Sequence, residues 1–403
     1  MISPSPGPRP SRRSLLAGAA AGAGLLALPA EALTQRASAG APYIRKPLPP
    51  SWFYDYGSNA EMRWDSVSTQ QYLTPQPRLF VRNHTATPTV DVSTYRLRIF
   101  GDGLATPRSS DAAVTLSYGD LRSLPVTRRT TVHECTGNGR SFFGTQQGTP
   151  ASGTQWTLGA VGAVAWQGVR LGTVLERIGL DPRAVSIMAT GLDDPYVSGG
   201  VDYGRVRRPF PVTKALEDAL LVWGADGEDL LPDHGYPIRL LLPGWVGIGS
   251  IKWLGSLEVS TAEQTSPWNT KWYRMTGGGY PADSPPLTVN PVRSALELGW
   301  GATLVRRAVV PLTGRSWSGA GPIARVDVST DGGATWDRAR VVRGGHREAW
   351  TQWAYDWRLP SRGDHVVMAR ATDVAGRQQP LVSPYNDGGY FFDAVVRHPV
   401  TVA

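Results

Sequence analysis

The stretch TTVHECTGNGRSFF, Thr130 to Phe143, holds the single cysteine of a 403-residue chain. One thiol forms no internal disulfide and supplies no four-cysteine metal site, so Cys135 is a packed core residue, a nucleophile or one ligand of a metal. Its neighbours favour the chemical readings. Gly137 and Gly139 permit backbone turns that approach a ligand closely, and Arg140 sets a fixed cation nearby, which favours thiolate over thiol. Further short polar stretches lie along the chain: RNH at Arg82 to His84, DHGYPIR at Asp233 to Arg239, IKW at Ile251 to Trp253 and WNTKWY at Trp268 to Tyr273. Together they offer a thiolate, several guanidinium groups and an ammonium group. Arginine forks bind oxyanions in bidentate fashion, so a metal-bearing phosphate cofactor with an oxyanion substrate would use such a set.

Other chemistries lose support. The six histidines include no HExxH or HxH pair, and GxSxG, GxGxxG after a strand and GxxxxGK[ST] are all missing, which argues against zinc hydrolysis, a nucleophile elbow, a Rossmann site and a P-loop. The formal charge of +8 is spread without a Lys/Arg run or a nucleic-acid motif. Such charge solvates a surface and draws small anions or an acidic partner.

The elements that must position these groups follow from pattern. Before them stands SRRSLLAGAAAGAGLLALPAEA, with Arg12 and Arg13 ahead of a weakly apolar run that ends in Ala30-Glu31-Ala32. This reads as a removed Tat-type signal over residues 1–32, placing the protein in a periplasm or outside the cell, with no membrane span in the mature chain. Residues 36 to about 80 read as an extended entry segment. Val90 to Ile99 alternates as a strand, while Leu171 to Leu180 and Thr213 to Leu221 carry helical spacing. Helices and strands mix without a βαβ repeat, which makes the first domain, residues 33–285, α+β. Gly277 to Pro291 is dense in Gly and Pro and marks the linker. Beyond it, AGPIARVDVST, DGGATW, DHVVMARATDV and YFFDAVVRHPVTV predict an immunoglobulin-like β-sandwich over residues 286–403.

In order and spacing, FVRNH, HECTGNGR, WTLGAVGAVAWQGVRL, DHGYPIRLLLPGWVG and SIKWLGSLEVS resemble the molybdenum domain of the sulfite oxidase family, and WSGAGPIARVDVSTDGGATW resembles that family's dimerisation domain. The resemblance implies a molybdenum ion with a single molybdopterin. Cys135 matches the family's metal ligand, and a soft thiolate suits that role. His84, His234, Arg239 and Lys252 match positions that hold the pterin and its phosphate. Arg82, Arg140, Trp156 and Tyr273 match the lining of the substrate-anion pocket, although with 15 tryptophans in the chain core packing competes for Trp156.

The activity so implied is oxygen-atom transfer onto sulfite, with single electrons leaving to an external carrier such as a c-type cytochrome, since no CxxCH haem motif occurs. A homodimer is implied as well. One departure weakens the sulfite assignment. Animal and plant members carry an arginine near the C-terminus that enters the anion pocket, whereas PYNDGGYFF places Gly388 there; Arg397 is the candidate to compensate. The alternative is a sulfane dehydrogenase, or a reductase of an S-oxide or N-oxide, on the same scaffold.

Overall fold

Alternation along Thr127–Glu134 sends successive side chains to opposite faces of a strand, and the two faces meet different surroundings. Thr131 accepts a hydrogen bond from the Trp166 indole at 3.1 Å, and the His133 ring lies 5.7 Å from Phe80 and 6.0 Å from Trp166. On the other face Val132 joins the core shared with Trp317 and Trp350, and Glu134 accepts from the Trp317 indole at 2.9 Å. Cys135 follows immediately, back on the His133 side.

The computed structural model describes residues 42–344 and 347–403; the leader-like residues 1–32 lie outside them. The described residues belong to one compact unit. Thr127–Glu134 pairs antiparallel with Val161–Arg170, which pairs with Leu220–Ala225; the latter pairs in turn with Arg239–Leu241. A second sheet runs in the order Arg207–Pro211, Ser186–Gly191, Leu254–Ser260, Arg96–Phe100 and Val114–Ser117. Only Leu254–Ser260 and Arg96–Phe100 are parallel in it. The helices Leu171–Ile178 and Val212–Glu217 pack beside these sheets, and their apolar residues join the core built on Leu97, Ile187, Leu240 and Leu257.

From Arg293 onward the elements among the described residues are all strands. Arg293–Leu296, Val309–Trp317, Thr351–Arg358 and Arg340–Arg343 form one sheet, and Ala302–Leu304, His398–Val402, Gly363–Asp373, Ile323–Ser329 and Asp337–Arg338 form the other. Inward residues of both, among them Leu312, Val326, Trp353 and Val367, fill the space between them. The mixed α+β part and the sandwich are as the pattern predicts.

Three local expectations fail. The helical spacing over Thr213 to Leu221 ends at Glu217, and Leu220 already opens the strand Leu220–Ala225. Residues 90–95 form a turn, and the strand begins only at Arg96, because Asp91 accepts from the Ser93 amide at 2.9 Å and thereby offers the backbone a competing hydrogen bond. The entry segment is not merely extended: Phe53–Asp55 and Asn59–Met62 form a hairpin that continues to Val81–Arg82. Among the described residues no helix is long and apolar enough to cross a membrane.

Candidate functional site

The polar stretches converge because each ends or begins an element on one side of the sheets. Arg82 closes the strand Val81–Arg82, Cys135 follows Thr127–Glu134, His234 ends the short helix Pro232–His234, Arg239 opens Arg239–Leu241, and Tyr273 follows the helix Pro267–Thr270. Together with His84 and Lys252 they line a cavity with about 680 Å³ of empty space out to its mouth.

The cavity is rich in cationic side chains, and some of their nitrogens find no partner within the protein. Arg239 directs Nη2 to His133 Nε2 at 2.5 Å and Nη1 to the His234 carbonyl at 3.2 Å; its Nε is buried without a partner. Burial pushes the Arg239 pKa down to about 9. Lys252 Nζ donates to the Asp233 carbonyl at 3.0 Å and to Asn83 Oδ1, and burial, with Arg239 next, lowers its pKa well below the usual ammonium value. Arg82 Nη1 is likewise buried and unpartnered.

The histidines are neutral as a result. Burial first and the neighbouring cations second hold His84, His133 and His234 well below the ordinary imidazole value. Trp268 Nε1 donates to His84 Nε2 at 3.1 Å, which leaves the His84 proton on Nδ1. His234 Nε2 donates to the Gln76 carbonyl at 3.0 Å. Two acids face the cations. Asp233 accepts from the Lys46 amide at 2.7 Å and the Thr87 hydroxyl at 2.6 Å, while burial pushes the Asp193 carboxyl up to about 7.

Unpartnered, buried guanidinium nitrogens are costly unless an anion meets them, so the cavity suits a phosphorylated ligand. Cys135 contributes the soft donor at its wall. Among the described residues no three His, Cys, Asp or Glu side chains gather as a metal cage, so a metal at Cys135 would take its other ligands from a cofactor. Burial raises the thiol pKa, with Arg82 pulling it down second; metal binding there therefore releases a proton.

Not every expected residue reaches the cavity. Trp156 is absent from its lining and is packed at 1 % exposure in the core with Leu79, Phe80 and Trp166, its ring 5.7 Å from Tyr56 and 6.3 Å from Phe80. Arg140 stands behind the lining. Its Nε donates to the Gly388 carbonyl at 2.9 Å and its Nη1 to the Thr154 carbonyl at 3.0 Å, and its charge is felt at Cys135 and Tyr273. Arg397 does not compensate for Gly388: it is exposed, and its Nη1 reaches the Gly332 carbonyl of a sandwich turn at 3.4 Å.

Conversely, Asn83, His133 and Asp233 also line the cavity, each inside one of the polar stretches but without a role that its type and spacing alone suggest. Asp193, in GLDDPY, carried no signal beyond its charge.

Residues 84–268 match the model of the oxidoreductase molybdopterin binding domain, and residues 290–397 that of the Mo-co oxidoreductase dimerisation domain. The sulfite oxidase of Gallus gallus is 32% identical over 330 residues, covering 77% of this chain and 69% of that protein. The chain belongs to the sulfite oxidase family. The mitochondrial sulfite oxidase of Rattus norvegicus is 32% identical over 333 residues, and the match spans 58% of its length, so the chain matches little more than half of that relative. Among solved structures of the family's kind, the sulfane dehydrogenase SoxCD of Paracoccus pantotrophus superposes with a TM-score of 0.71 at 27% identity, covering 84% of this chain and 83% of that one.

Proposed function

We propose that this sulfite oxidase family member is an exported molybdopterin-dependent enzyme that oxidises sulfite to sulfate and passes the electrons to an external acceptor such as cytochrome c. The observation that carries the reading is a single thiol, Cys135, on the wall of a cavity where Arg82 Nη1 and Arg239 Nε are buried without partners. Family membership and the name of the chicken relative support the substrate. The twin arginines ahead of the leader-like run support export by a Tat-type signal to a periplasm or the medium. The dimerisation-domain match supports a homodimer.

Cys135 would bind the metal, and His84, His234, Arg239 and Lys252 would hold the pterin and its phosphate. The bound molybdenum cofactor supplies an oxygen-atom donor that can store two electrons. The overall reaction takes sulfite and water to sulfate, two protons and two electrons. Arg82 would orient the anion at the cavity wall and Arg140 would add its positive charge from behind the lining, since positioned cations act more strongly in a site shielded from water. Tyr273 is buried and held protonated, burial raising its pKa above the ordinary phenol value. Its hydroxyl is thus a donor at neutral pH, available to the anion and to the proton that leaves with each electron.

Arg140 is seated by glycines, which yields a prediction. A Cβ at Gly137 would stand 2.5 Å from Arg140 Nη2 and 2.8 Å from Cζ, so Gly137→Ala displaces the guanidinium without removing it. The expected result is a KM for sulfite raised about tenfold at nearly unchanged kcat, equivalent to one charge-assisted hydrogen bond of ~1.5 kcal/mol. An unchanged KM takes Arg140 out of anion binding.

The direct test is sulfite-dependent reduction of ferricyanide or ferricytochrome c by purified protein of measured molybdenum content. Steady turnover proportional to molybdenum supports sulfite oxidation. A second reading rests on Gly388 and on the likeness to SoxCD: the substrate is a larger or less charged sulfur compound. Molybdenum-loaded protein that leaves sulfite unoxidised but turns over a thiol-bound sulfane favours that reading.

A further inference from the structure

The segment from Asn386 to Phe391 reaches from the sandwich onto the back of the cavity wall and is tied there at both ends. The Asp387 amide donates to the Thr276 carbonyl at 2.9 Å and the Phe391 amide to the Thr136 carbonyl at 3.1 Å. The segment therefore bridges the turn after Tyr273 and the turn after Cys135. Asn386 closes it on itself, its Oδ1 accepting from the Tyr390 amide at 2.9 Å and its Nδ2 donating to the Tyr390 carbonyl at 2.8 Å.

This brace aims one ring inward. Tyr390 stacks on Tyr273 with centroids 5.2 Å apart and planes 21° from parallel, and the Arg140 guanidinium carbon lies 5.5 Å from the centre of the same ring. Both are favourable aromatic geometries.

Gly388 is the other half of the arrangement. A Cβ built there would meet Tyr390 Cε2 at 2.5 Å, Cδ2 at 2.8 Å and Cζ at 3.1 Å. A side chain at 388 and a ring at 390 therefore compete for one volume, and Tyr273 and Arg140 flank the ring. Gly389, at φ +55°, takes the left-handed conformation, and a Cβ there would stand 2.6 Å from Arg140 Cγ. The two glycines let the backbone come close enough for the Gly388 carbonyl to accept from Arg140 Nε.

We infer that Tyr390 is a positioning residue of this site: its ring fills the volume left by Gly388, holding the Tyr273 phenol at the cavity wall and the Arg140 guanidinium directly behind it. The inference rests on the oxyanion reading above. Tyr390 is not part of the cavity lining, so it acts through the two residues it holds.

A double-mutant cycle of Gly388→Ala and Tyr390→Ala in molybdenum-loaded protein tests this, read by the KM for sulfite and by the rise in melting midpoint that added sulfate produces. Alone, Gly388→Ala is expected to raise KM about tenfold and to shrink the sulfate shift, because it pushes the ring against Tyr273 and Arg140. In the Tyr390→Ala background the same change is expected to alter neither readout. Tyr390→Phe keeps the ring and is expected to stay within about threefold of the parent in KM, which assigns the effect to the ring and not to the hydroxyl.

Equal effects of Gly388→Ala in both backgrounds would overturn the shared volume. A Tyr390→Ala variant with parental KM and parental sulfate shift would overturn the positioning role, whatever its stability. If the parent protein does not oxidise sulfite, that failure belongs to the substrate assignment, and the sulfate shift across the cycle still decides the role of Tyr390.

Discussion

Cys135→Ser is expected to lower oxyanion turnover by more than about 100-fold while the protein stays folded. Disturbing only the partners of a metal ligand commonly costs 10–100-fold in affinity or activity, and replacing the soft thiolate by a hydroxyl changes the ligand itself. The thiol is half-buried at the cavity wall, and a hydroxyl of similar shape leaves the packing there almost unchanged, so the melting midpoint moves little. The pterin is expected to remain, because the residues assigned to it, His84, His234, Arg239 and Lys252, stand on other elements. Mass spectrometry of the released pterin, metal analysis and steady-state kinetics on the same preparation check this. Undiminished turnover per molybdenum would exclude Cys135 as the ligand.

The second large effect is structural. Glu134 is fully buried and pairs with Arg293 Nε at 3.3 Å, while Asn138 Nδ2 and Trp317 Nε1 each donate to it at 2.9 Å. Arg293 Nη1 also donates to the Asn138 carbonyl at 2.5 Å, so one arginine of the sandwich fixes both the residue before Cys135 and the turn after it. Arg293→Ala leaves a carboxylate in the core without its cation, a loss on the order of 3–5 kcal/mol for a buried pair. With a scale of roughly 2–4 °C per kcal/mol for domains of 150–250 residues, and less for a longer chain, the melting midpoint is expected to fall by about 5–10 °C.

The pH dependence has a definite sign. Burial raises the Glu134 pKa, against the opposing pull of Arg293, so the folded state holds the proton more tightly than the unfolded chain. Stability attached to that proton is fully present below the unfolded carboxyl value and is lost as pH rises through the folded one. Without Arg293 the raising cause is unopposed, and the deficit of Arg293→Ala is expected to narrow as pH is lowered toward 5. Melting curves of both proteins between pH 5 and 8 check it. A deficit independent of pH would mean that Arg293 contributes only packing.

The extent of legibility differs between kinds of residue. Where chemistry is concentrated in short stretches, the chain declares itself: Arg82, His84, Cys135, His234, Arg239, Lys252 and Tyr273 all reach one cavity, because each lies at the end of an element where the backbone turns and a polar side chain can point out of the core. Alternation and turn spacing likewise disclose the sandwich. Trp156 shows the opposite case. A tryptophan beside an anion site and one in the core have the same local pattern, and only the positions of Tyr56 and Phe80 decide between them.

Sequence alone determined the mixed α+β and sandwich character, the wealth of cationic side chains at the site and the single thiol, since these depend on residue identity and near-neighbour spacing. Tertiary structure decided which cations remain without partners, that Arg140 stands behind the lining and Arg397 away from it, and that Tyr390 occupies the space beside Gly388. The contacts that build them bridge long stretches of chain, 248 residues between Arg140 and Gly388, 183 between Glu134 and Trp317 and 159 between Glu134 and Arg293. No local propensity encodes them; they exist only once burial of the apolar faces has brought the segments together.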